Sequence, residues 1–272
     1  MGRALREAFD PITLNFWRWV IAALVLTPFA LPGLRAKGAL LRRHAGILLL
    51  LSLTGIAVFQ SLVYLGLRST TAVNAVLINS SMPLFIVLCS WVIERERASP
   101  RQIGGMLISL AGILVILSRG SPGALLELEL HPGDAWILLA MPVWGIYSVL
   151  LKRRPPQLGG LEFLFVISLA GVLILLPGAA VMALQAPMEL PTPAEALGVF
   201  YMGLAASVLA FSCWNRGVAA VGANAAGFTV HLLPAFGTVL AILFLGETFA
   251  GFHAAGIATI LAGVLLATRA RP

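Results

Sequence analysis

Apolar residues run along this chain in nine long segments, which short polar links separate. A helix needs about 20 residues to cross the hydrocarbon core of a bilayer, and each segment is close to that length. The pattern therefore predicts an all-α integral membrane protein in which most consecutive helices are antiparallel. The predicted spans are residues 11–32, 45–67, 70–93, 102–118, 133–151, 161–183, 195–215, 220–245 and 250–268.

The composition agrees with this class. Of the 272 residues, 60% are hydrophobic and 11% are charged, whereas a soluble domain carries about 25% charged residues. The net charge of +7 would suit nucleic acid, but the basic residues lie between apolar segments and form no continuous patch. We therefore predict the lipid bilayer, and no nucleic acid, as a partner. Cys89 and Cys213 lie inside apolar segments without metal-ligand spacing, so we predict no metal and no cofactor.

Basic residues are divided unevenly between the two sets of links. One set holds thirteen: Arg35, Lys37, Arg42, Arg43, Arg95, Arg97, Arg101, Lys152, Arg153, Arg154, Arg216, Arg269 and Arg271. The other set holds four: Arg3, Arg6, Arg68 and Arg119. Lys and Arg accumulate in cytoplasmic links. The division therefore predicts a multi-pass protein of the inner (plasma) membrane with a cytoplasmic C-terminus.

The chain resembles itself at a shift of 151 residues, at which residues 66–119 align with 217–270 without a gap. The matches include Pro83/Pro234, Glu96/Glu247, Gly105/Gly256, Ala111/Ala262 and Gly112/Gly263. Further upstream, a shift of 149 pairs Phe16 with Phe165 and Pro28 with Pro177. The alignment predicts two repeats, residues 1–120 and 131–269.

The second repeat opens with a helix, residues 133–151, that has no counterpart in the first, because Met1 aligns with about Leu150. We therefore expect a complete protein to have five plus five spans, with the first helix of the first repeat absent here. An odd number of helices per repeat inverts the two halves in the membrane. Ten spans would place both termini in the cytoplasm.

Four motifs carry a family resemblance. They are Pro11-x-x-x-Asn15-Phe16-Trp17-Arg18-Trp19, Ala72-x-x-Ala75 leading to Met82-Pro83, Glu96 with Pro100-x-x-x-Gly104-Gly105, and Gly246-Glu247 followed by Gly256 and Ala262-Gly263. Together they resemble the drug/metabolite transporter superfamily, in its ten-helix EamA-type branch. The first repeat departs from the pattern, since it has Glu94-Arg95-Glu96-Arg97 in place of a Gly-Glu pair and lacks its opening helix.

The resemblance implies a secondary transporter, with no catalytic residue, that moves a small organic metabolite by alternating access. Within the branch, the Asn-Phe-Trp-Arg-Trp run is most similar to exporters of aromatic and neutral amino acids. A multidrug exporter, or an exporter of another metabolite, stays open. From other classes, an integral-membrane enzyme is disfavoured because no paired catalytic groups share one depth. A channel is disfavoured because paired prolines in an inverted repeat suit alternating access better than a fixed pore.

Substrates of inverted-repeat transporters bind near the midplane, where helices are interrupted. Helix kinks are predicted at Pro83 and Pro234. Asn79 and Ser80 lie beside the first kink, and His231, the repeat equivalent of Ser80, lies beside the second. We predict that these residues line a shared cavity and bind substrate; the alternative is packing alone. His231 either carries a proton or is a neutral group bonded to a neighbouring helix.

Arg18 is the other ionisable residue within a span, and two roles are open to it. It bonds to helix-end carbonyls, or it holds a substrate carboxylate through its planar fork. Trp17 and Trp19 flank it, and only one of the two can face inward beside it. We include Trp17 and Arg18 among the predicted substrate-binding residues.

Aromatic and amide side chains predict the rest of a polar-aromatic path. Gln60 and Tyr64 are four residues apart and share a helix face, as Trp144 and Tyr147 do at a spacing of three. Together with Trp214, they suit flat or zwitterionic ligands through stacking and cation–π contacts. The alternative is that the rings anchor at the membrane interface or fill gaps.

Small residues mark one face of the last helix of each repeat, at Gly105-x-x-x-Ser109 and at Gly256 with Ala262-Gly263. Such faces allow helices to approach closely. We predict packing within the bundle rather than dimerisation, and therefore a monomer or a weak homodimer.

Overall fold

The computed structural model describes residues 9–121, 123–126, 128–185, 191–245 and 248–269. Nine helices in these ranges are long and apolar enough to cross a membrane, which confirms the predicted all-α membrane class. In chain order they are α1 (Pro11–Leu34), α2 (Ala45–Arg68), α3 (Ala72–Glu94), α4 (Pro100–Leu117), α5 (Pro132–Arg153), α6 (Gly160–Gln185), α7 (Pro193–Val221), α8 (Ala223–Phe244) and α9 (Gly251–Thr268). Gly246 and Glu247, part of the family motif, lie outside the described residues.

Polar link residues determine where several helices begin. The Asp10 carboxylate accepts from the Ile12 N–H, with Pro11 in the first helical turn. Ser99 and Thr192 form capping boxes ahead of Pro100 and Pro193. Such caps pair backbone N–H groups that have no partner inside the helix.

Helix α7 is longer than predicted, since it continues past Asn215 and Arg216 to Val221. It ends at Gly222, whose φ of 86° favours a residue without a side chain. The charged Arg216 interrupts the apolar segment, which is why hydropathy alone placed the end too early.

Four helices are interrupted, at positions that correspond in the two predicted repeats. Helix α2 has a π-helical stretch at Leu53–Val58, and α7 has one at Met202–Leu209. Their first residues are related by the upstream shift of 149. Helix α3 breaks at residues 80–81, and α8 passes through a 3₁₀ turn at Thr229–His231.

The two prolines predicted to kink helices follow these breaks closely. Pro83 is the second residue of the half-helix Met82–Glu94, and Pro234 is the third residue of Leu232–Leu245. A proline at the start of a helix loses no hydrogen bond, because N–H groups there have no partner within the helix. Each proline therefore begins the second half of a broken helix.

Helices α4 and α9 cross through four glycines. Gly105 faces Gly263, and Gly112 faces Gly256. A Cβ added at Gly105 would lie 2.5 Å from the Gly263 carbonyl oxygen, and one added at Gly112 would lie 2.7 Å from that of Gly256. Shifting either contact by 151 residues gives the other, as two-fold related contacts require. The predicted small faces thus pack against each other inside the bundle.

Helix α5 is the most enclosed span, and it packs against both α2 and α3. At its Lys152 end it is held by ion pairs to the charged run that closes α3: Lys152 to Glu96 and Arg153 to Glu94, each at 2.8 Å. Such partly exposed pairs contribute at most about 1 kcal/mol each. Glu94 and the motif residue Glu96 therefore both join α3 to α5.

Candidate functional site

Arg18 is buried at the centre of a polar cluster that joins three helices. Its Nε donates to Ser207 Oγ of α7 at 2.6 Å, and its Nη2 donates to the Ala206 carbonyl at 2.8 Å. Its Nη1 donates to Gln60 Oε1 at 3.0 Å and to Tyr64 Oη at 2.5 Å, both on α2. The predicted residues Arg18, Gln60 and Tyr64 therefore form one site, which we call the Arg18 cluster together with Ser207.

The interrupted helices explain why this cluster forms. A π-helical stretch shifts the hydrogen-bond ladder and releases backbone carbonyls. Asn15 donates from Nδ2 to the carbonyls of Ile56, at 3.0 Å, and Ala57, at 3.3 Å, in the π-helical stretch of α2. Arg18, three residues later on the same face of α1, binds the Ala206 carbonyl in the corresponding stretch of α7. One face of α1 thus pairs the exposed carbonyls of two corresponding stretches.

The positive charge of Arg18 is contacted by neutral hydrogen-bond acceptors and not by a carboxylate of the described residues. Within the described ranges no carboxylate forms an ion pair with it, and the residue is 4% exposed. Burial of an unpaired charge is costly, and hydrogen bonds offset only part of that cost. A charge within a membrane-spanning helix makes Arg18 a candidate functional residue.

Aromatic rings fill the space between α5 and α7. Trp144 lies 5.3 Å from Trp214, 5.1 Å from Tyr147 and 5.4 Å from Phe211, measured between ring centroids. The Tyr147 hydroxyl donates to Asn215 Oδ1 at 2.8 Å. We call these five residues the aromatic cluster.

The Arg18 cluster and the aromatic cluster are joined by Trp19. The Trp19 ring lies 5.4 Å from the Arg18 guanidinium carbon and 4.9 Å from the Phe211 ring. Polar and aromatic side chains therefore follow one another without a break from Arg18 to Asn215. At Asn215 this track reaches a cavity of about 410 Å³, which Lys152 and Arg154 also line.

A third group of polar residues surrounds His231. Its Nε2 is 2.9 Å from the Ser80 carbonyl, and its Nδ1 is 2.5 Å from Ser109 Oγ. A carbonyl only accepts, so Nε2 carries a proton. Ser80 and its repeat equivalent thus contact each other across α3 and α8. Beside them, Asn79, Ser80 and Pro234 line a cavity of about 280 Å³.

Across the residues that the structure describes, no group of three or more His, Cys, Asp or Glu side chains is placed to hold a metal ion.

A family model decides the class of this protein. The model of the EamA-like transporter family matches residues 1–118 and 131–269. The chain belongs to the EamA-like transporter family. It is therefore a membrane transporter and not an enzyme.

Similar proteins agree with this family assignment. The chain is 26% identical over 272 residues to the uncharacterized transporter YetK of Bacillus subtilis, covering 98% of this chain and 81% of YetK. It is 30% identical over 265 residues to a probable terminal-alkyne amino-acid exporter of Streptantibioticus cattleyicolor, covering 97% of this chain and 86% of that protein. It is 28% identical over 188 residues to the aromatic amino acid exporter YddG of Ancylobacter novellus, covering 68% of this chain and 63% of YddG.

A solved crystal structure supports the fold. It aligns with a TM-score of 0.76 at 23% identity, covering 98% of this chain and 90% of the other chain.

The structure separates the predicted site residues of this EamA-like transporter into groups. Arg18, Gln60 and Tyr64 meet in the Arg18 cluster, and Trp144, Tyr147 and Trp214 meet in the aromatic cluster. Asn79, Ser80 and His231 gather at the paired helix breaks. Trp17 joins none of these groups, because its ring is 38% exposed on the outside of α1 and packs against Phe16.

Sequence reasoning missed several residues that complete the site. Asn15 is fully buried, and only the family motif pointed to it. Ser207, Phe211 and Asn215 lie on α7 at spacings of four residues and therefore share one helix face. This spacing of four residues, next to the predicted site residue Trp214, is the sequence signal that could have identified them.

Proposed function

We propose that this EamA-like transporter exports a small organic metabolite, an aromatic or neutral amino acid, across the inner membrane. The main support for this proposal is the track of polar and aromatic side chains from Arg18 to Asn215. It runs between helices of the two predicted halves, where inverted-repeat transporters bind substrate. Two similar proteins with exporter names, for aromatic and terminal-alkyne amino acids, support this substrate class.

Alternating access by two inverted halves is the mechanism of this proposal. Three observations support it: the corresponding π-helical stretches, the symmetric glycine contact of α4 and α9, and the pairing of Ser80 with His231. The two family matches, 1–118 and 131–269, also lie close to the proposed halves. That a complete protein has five spans in each half, with a counterpart to α5 in the first, stays a prediction.

The excess of Lys and Arg assigns the Lys152 end of the bundle to the cytoplasm in this proposal. The 410 Å³ cavity at Asn215 then opens toward the cytoplasm. The Arg18 cluster, with its bonds between α1, α2 and α7, closes the opposite end. The structure then corresponds to a state that receives substrate from the cytoplasm.

Counterflow into proteoliposomes tests the proposed function. Vesicles that hold the purified protein are loaded with unlabelled phenylalanine or leucine, and uptake of the labelled amino acid is followed. We expect saturable exchange that protein-free vesicles lack, with a rate that unlabelled substrate outside reduces. If folded protein exchanges no aromatic or neutral amino acid, the amino-acid proposal is wrong, and the multidrug or other metabolite exporter becomes the better candidate.

His231 is expected to contribute to transport by pairing the Ser80 carbonyl. The break in α3 leaves that carbonyl without a helical donor, since the Leu84 N–H bonds to Ser81 instead. An unpaired buried group costs about 1–3 kcal/mol. We therefore expect His231→Ala to slow exchange about fivefold in counterflow at neutral pH.

The matched variant is His231→Gln, whose amide can donate to Ser80 and accept from Ser109. It should recover most of the exchange rate if pairing is the role of His231. Wild-type exchange in His231→Ala would contradict this role. Recovery of exchange in His231→Gln, combined with loss of the response to a pH gradient, would instead assign proton transfer to this residue.

A further inference from the structure

We propose that the indole N–H groups of Trp144 and Trp214 and the amide N–H of Asn215 form a subsite for a carboxylate of the substrate. This inference rests on the proposed function and specifies which group the substrate presents to the aromatic cluster. It concerns one residue of α5 and two of α7, all within the aromatic cluster.

The first observation is that these donors have no acceptor. Trp144 Nε1, Trp214 Nε1 and Asn215 Nδ2 are each buried and without a hydrogen-bond partner in the described part of the chain. Trp144 is 7% exposed and Asn215 is 5% exposed. Folded proteins leave few buried polar groups unpaired, since each costs about 1–3 kcal/mol. Three unpaired donors in one cluster indicate an acceptor that is bound only during transport.

The second observation is how the amide is fixed. The Tyr147 hydroxyl donates to Asn215 Oδ1 at 2.8 Å, which engages the acceptor end of the amide. The donor end, Nδ2, is left for another molecule. The Trp144 ring lies 5.1 Å from the Tyr147 ring and 5.3 Å from the Trp214 ring. The three donors therefore belong to side chains that pack within one cluster.

The chemistry of the donors selects the ligand. Indole and amide N–H groups donate and do not accept, so an ammonium group finds no partner among them. A carboxylate has two oxygens that together accept about four hydrogen bonds. Hydrogen bonds to an ionised acceptor are roughly twice as strong as those between neutral groups. The subsite therefore fits the carboxylate of an amino acid or of a related organic acid.

The charge on the entry route agrees with an anionic group. Lys152 and Arg154 line the cavity that reaches Asn215. Glu96 lies 2.8 Å from Lys152 and offsets its charge. Arg154 has no carboxylate within ion-pair distance among the described residues. The cavity thus keeps a positive charge that attracts a carboxylate toward the aromatic cluster.

The test uses two ligands of one shape, phenylacetate and phenylacetamide, which differ in the carboxylate. The full chain is purified in detergent, and the shift of its melting temperature is measured over a range of ligand concentrations. We expect phenylacetate to stabilise the wild type at concentrations about tenfold lower than phenylacetamide. Equal stabilisation by the two ligands would overturn the proposal.

Two variants locate the binding. Trp144→Phe and Trp214→Phe keep an aromatic ring but lose the N–H, and each should raise the apparent Kd for phenylacetate about tenfold. Their effect on phenylacetamide should be less than twofold. Trp91→Phe is the matched control, because Trp91 is 46% exposed and lines a different cavity, with Leu88 and Ile103. If either cluster variant fails to fold, the other keeps the test intact, and unchanged phenylacetate affinity in a folded cluster variant would overturn the subsite.

This experiment separates the subsite from the proposed function. Binding of phenylacetate that depends on Trp144 and Trp214, without exchange of any amino acid, would support the subsite and reject the amino-acid proposal. Exchange of amino acids, with no preference for phenylacetate over its amide, would reject the subsite and keep the proposed function.

Discussion

Gly105→Ala is expected to destabilise the protein by about 3 kcal/mol or more, even though it adds one methyl group. The new Cβ would lie 2.5 Å from the Gly263 carbonyl oxygen and 2.6 Å from the Ala267 backbone nitrogen. Both are backbone atoms of α9, which cannot move aside as a side chain can. Strained packing of this kind typically costs about 1–3 kcal/mol and more where the backbone must shift. Thermal unfolding in detergent, together with the yield of monodisperse protein, measures the loss.

The adjacent residue provides the control. A Cβ added at Gly104 meets nothing within 4 Å, and alanine favours a helix over glycine by about 1 kcal/mol. Gly104→Ala should therefore leave the melting temperature unchanged or raise it. If the two variants unfold at the same temperature, the close crossing of α4 and α9 does not form as described.

The spans could be predicted from sequence because the bilayer requires long apolar helices, and the chain has nine such segments. The ends of the helices were predicted less accurately than the spans themselves, as α7 shows. Its extension from Arg216 to Val221 is helical because the stop signal is Gly222, where the backbone takes a positive φ. Hydropathy identifies segments that can span a membrane, but it does not identify the turn at Gly222 that ends the helix.

The π-helical stretches could not be predicted from the sequence. Each depends on a partner that is distant along the chain: Asn15 for the carbonyls of α2, and Arg18 for the Ala206 carbonyl of α7. A glycine lies in each stretch, and both glycines are closely packed, Gly55 against Tyr147 and Gly203 against Ile21. The periodicity of apolar residues does not predict such hydrogen bonds between distant parts of the chain.

The site was predicted in its parts and not in its arrangement. Pairs on a shared helix face, such as Gln60 with Tyr64, follow from helix geometry alone. That Gln60 and Tyr64 would meet Arg18 depends on how α1 packs against α2. Trp17 shows the limit of the argument, because adjacent helical residues point about 100° apart. With Arg18 buried, Trp17 is turned outward.

Arg18→Met is expected to lower the rate of counterflow exchange by about 30-fold or more. Arg18 bonds to both α2 and α7, through four hydrogen bonds. A hydrogen bond to a charged group contributes about 1.5–3 kcal/mol. A change of about 2 kcal/mol in the balance between the two access states corresponds to about 30-fold. Arg18→Lys should also be slow, because one ammonium nitrogen cannot span the acceptors that the guanidinium fork reaches.

Stability distinguishes this role from simple packing. Arg18→Met removes the buried charge but leaves the Gln60 and Ala206 oxygens without their donor, at about 1–3 kcal/mol each. Its melting temperature should therefore fall, whereas that of Arg18→Lys, which keeps a donor, should fall less while exchange stays slow. Arg68→Met is the control, since Arg68 is largely exposed and lies 3.8 Å from Asp10. Such a pair contributes at most about 1 kcal/mol, and exchange should stay within twofold. Wild-type exchange in Arg18→Met would show that closure of this end of the track does not depend on Arg18, because the three helices would then hold their access states through apolar contacts alone.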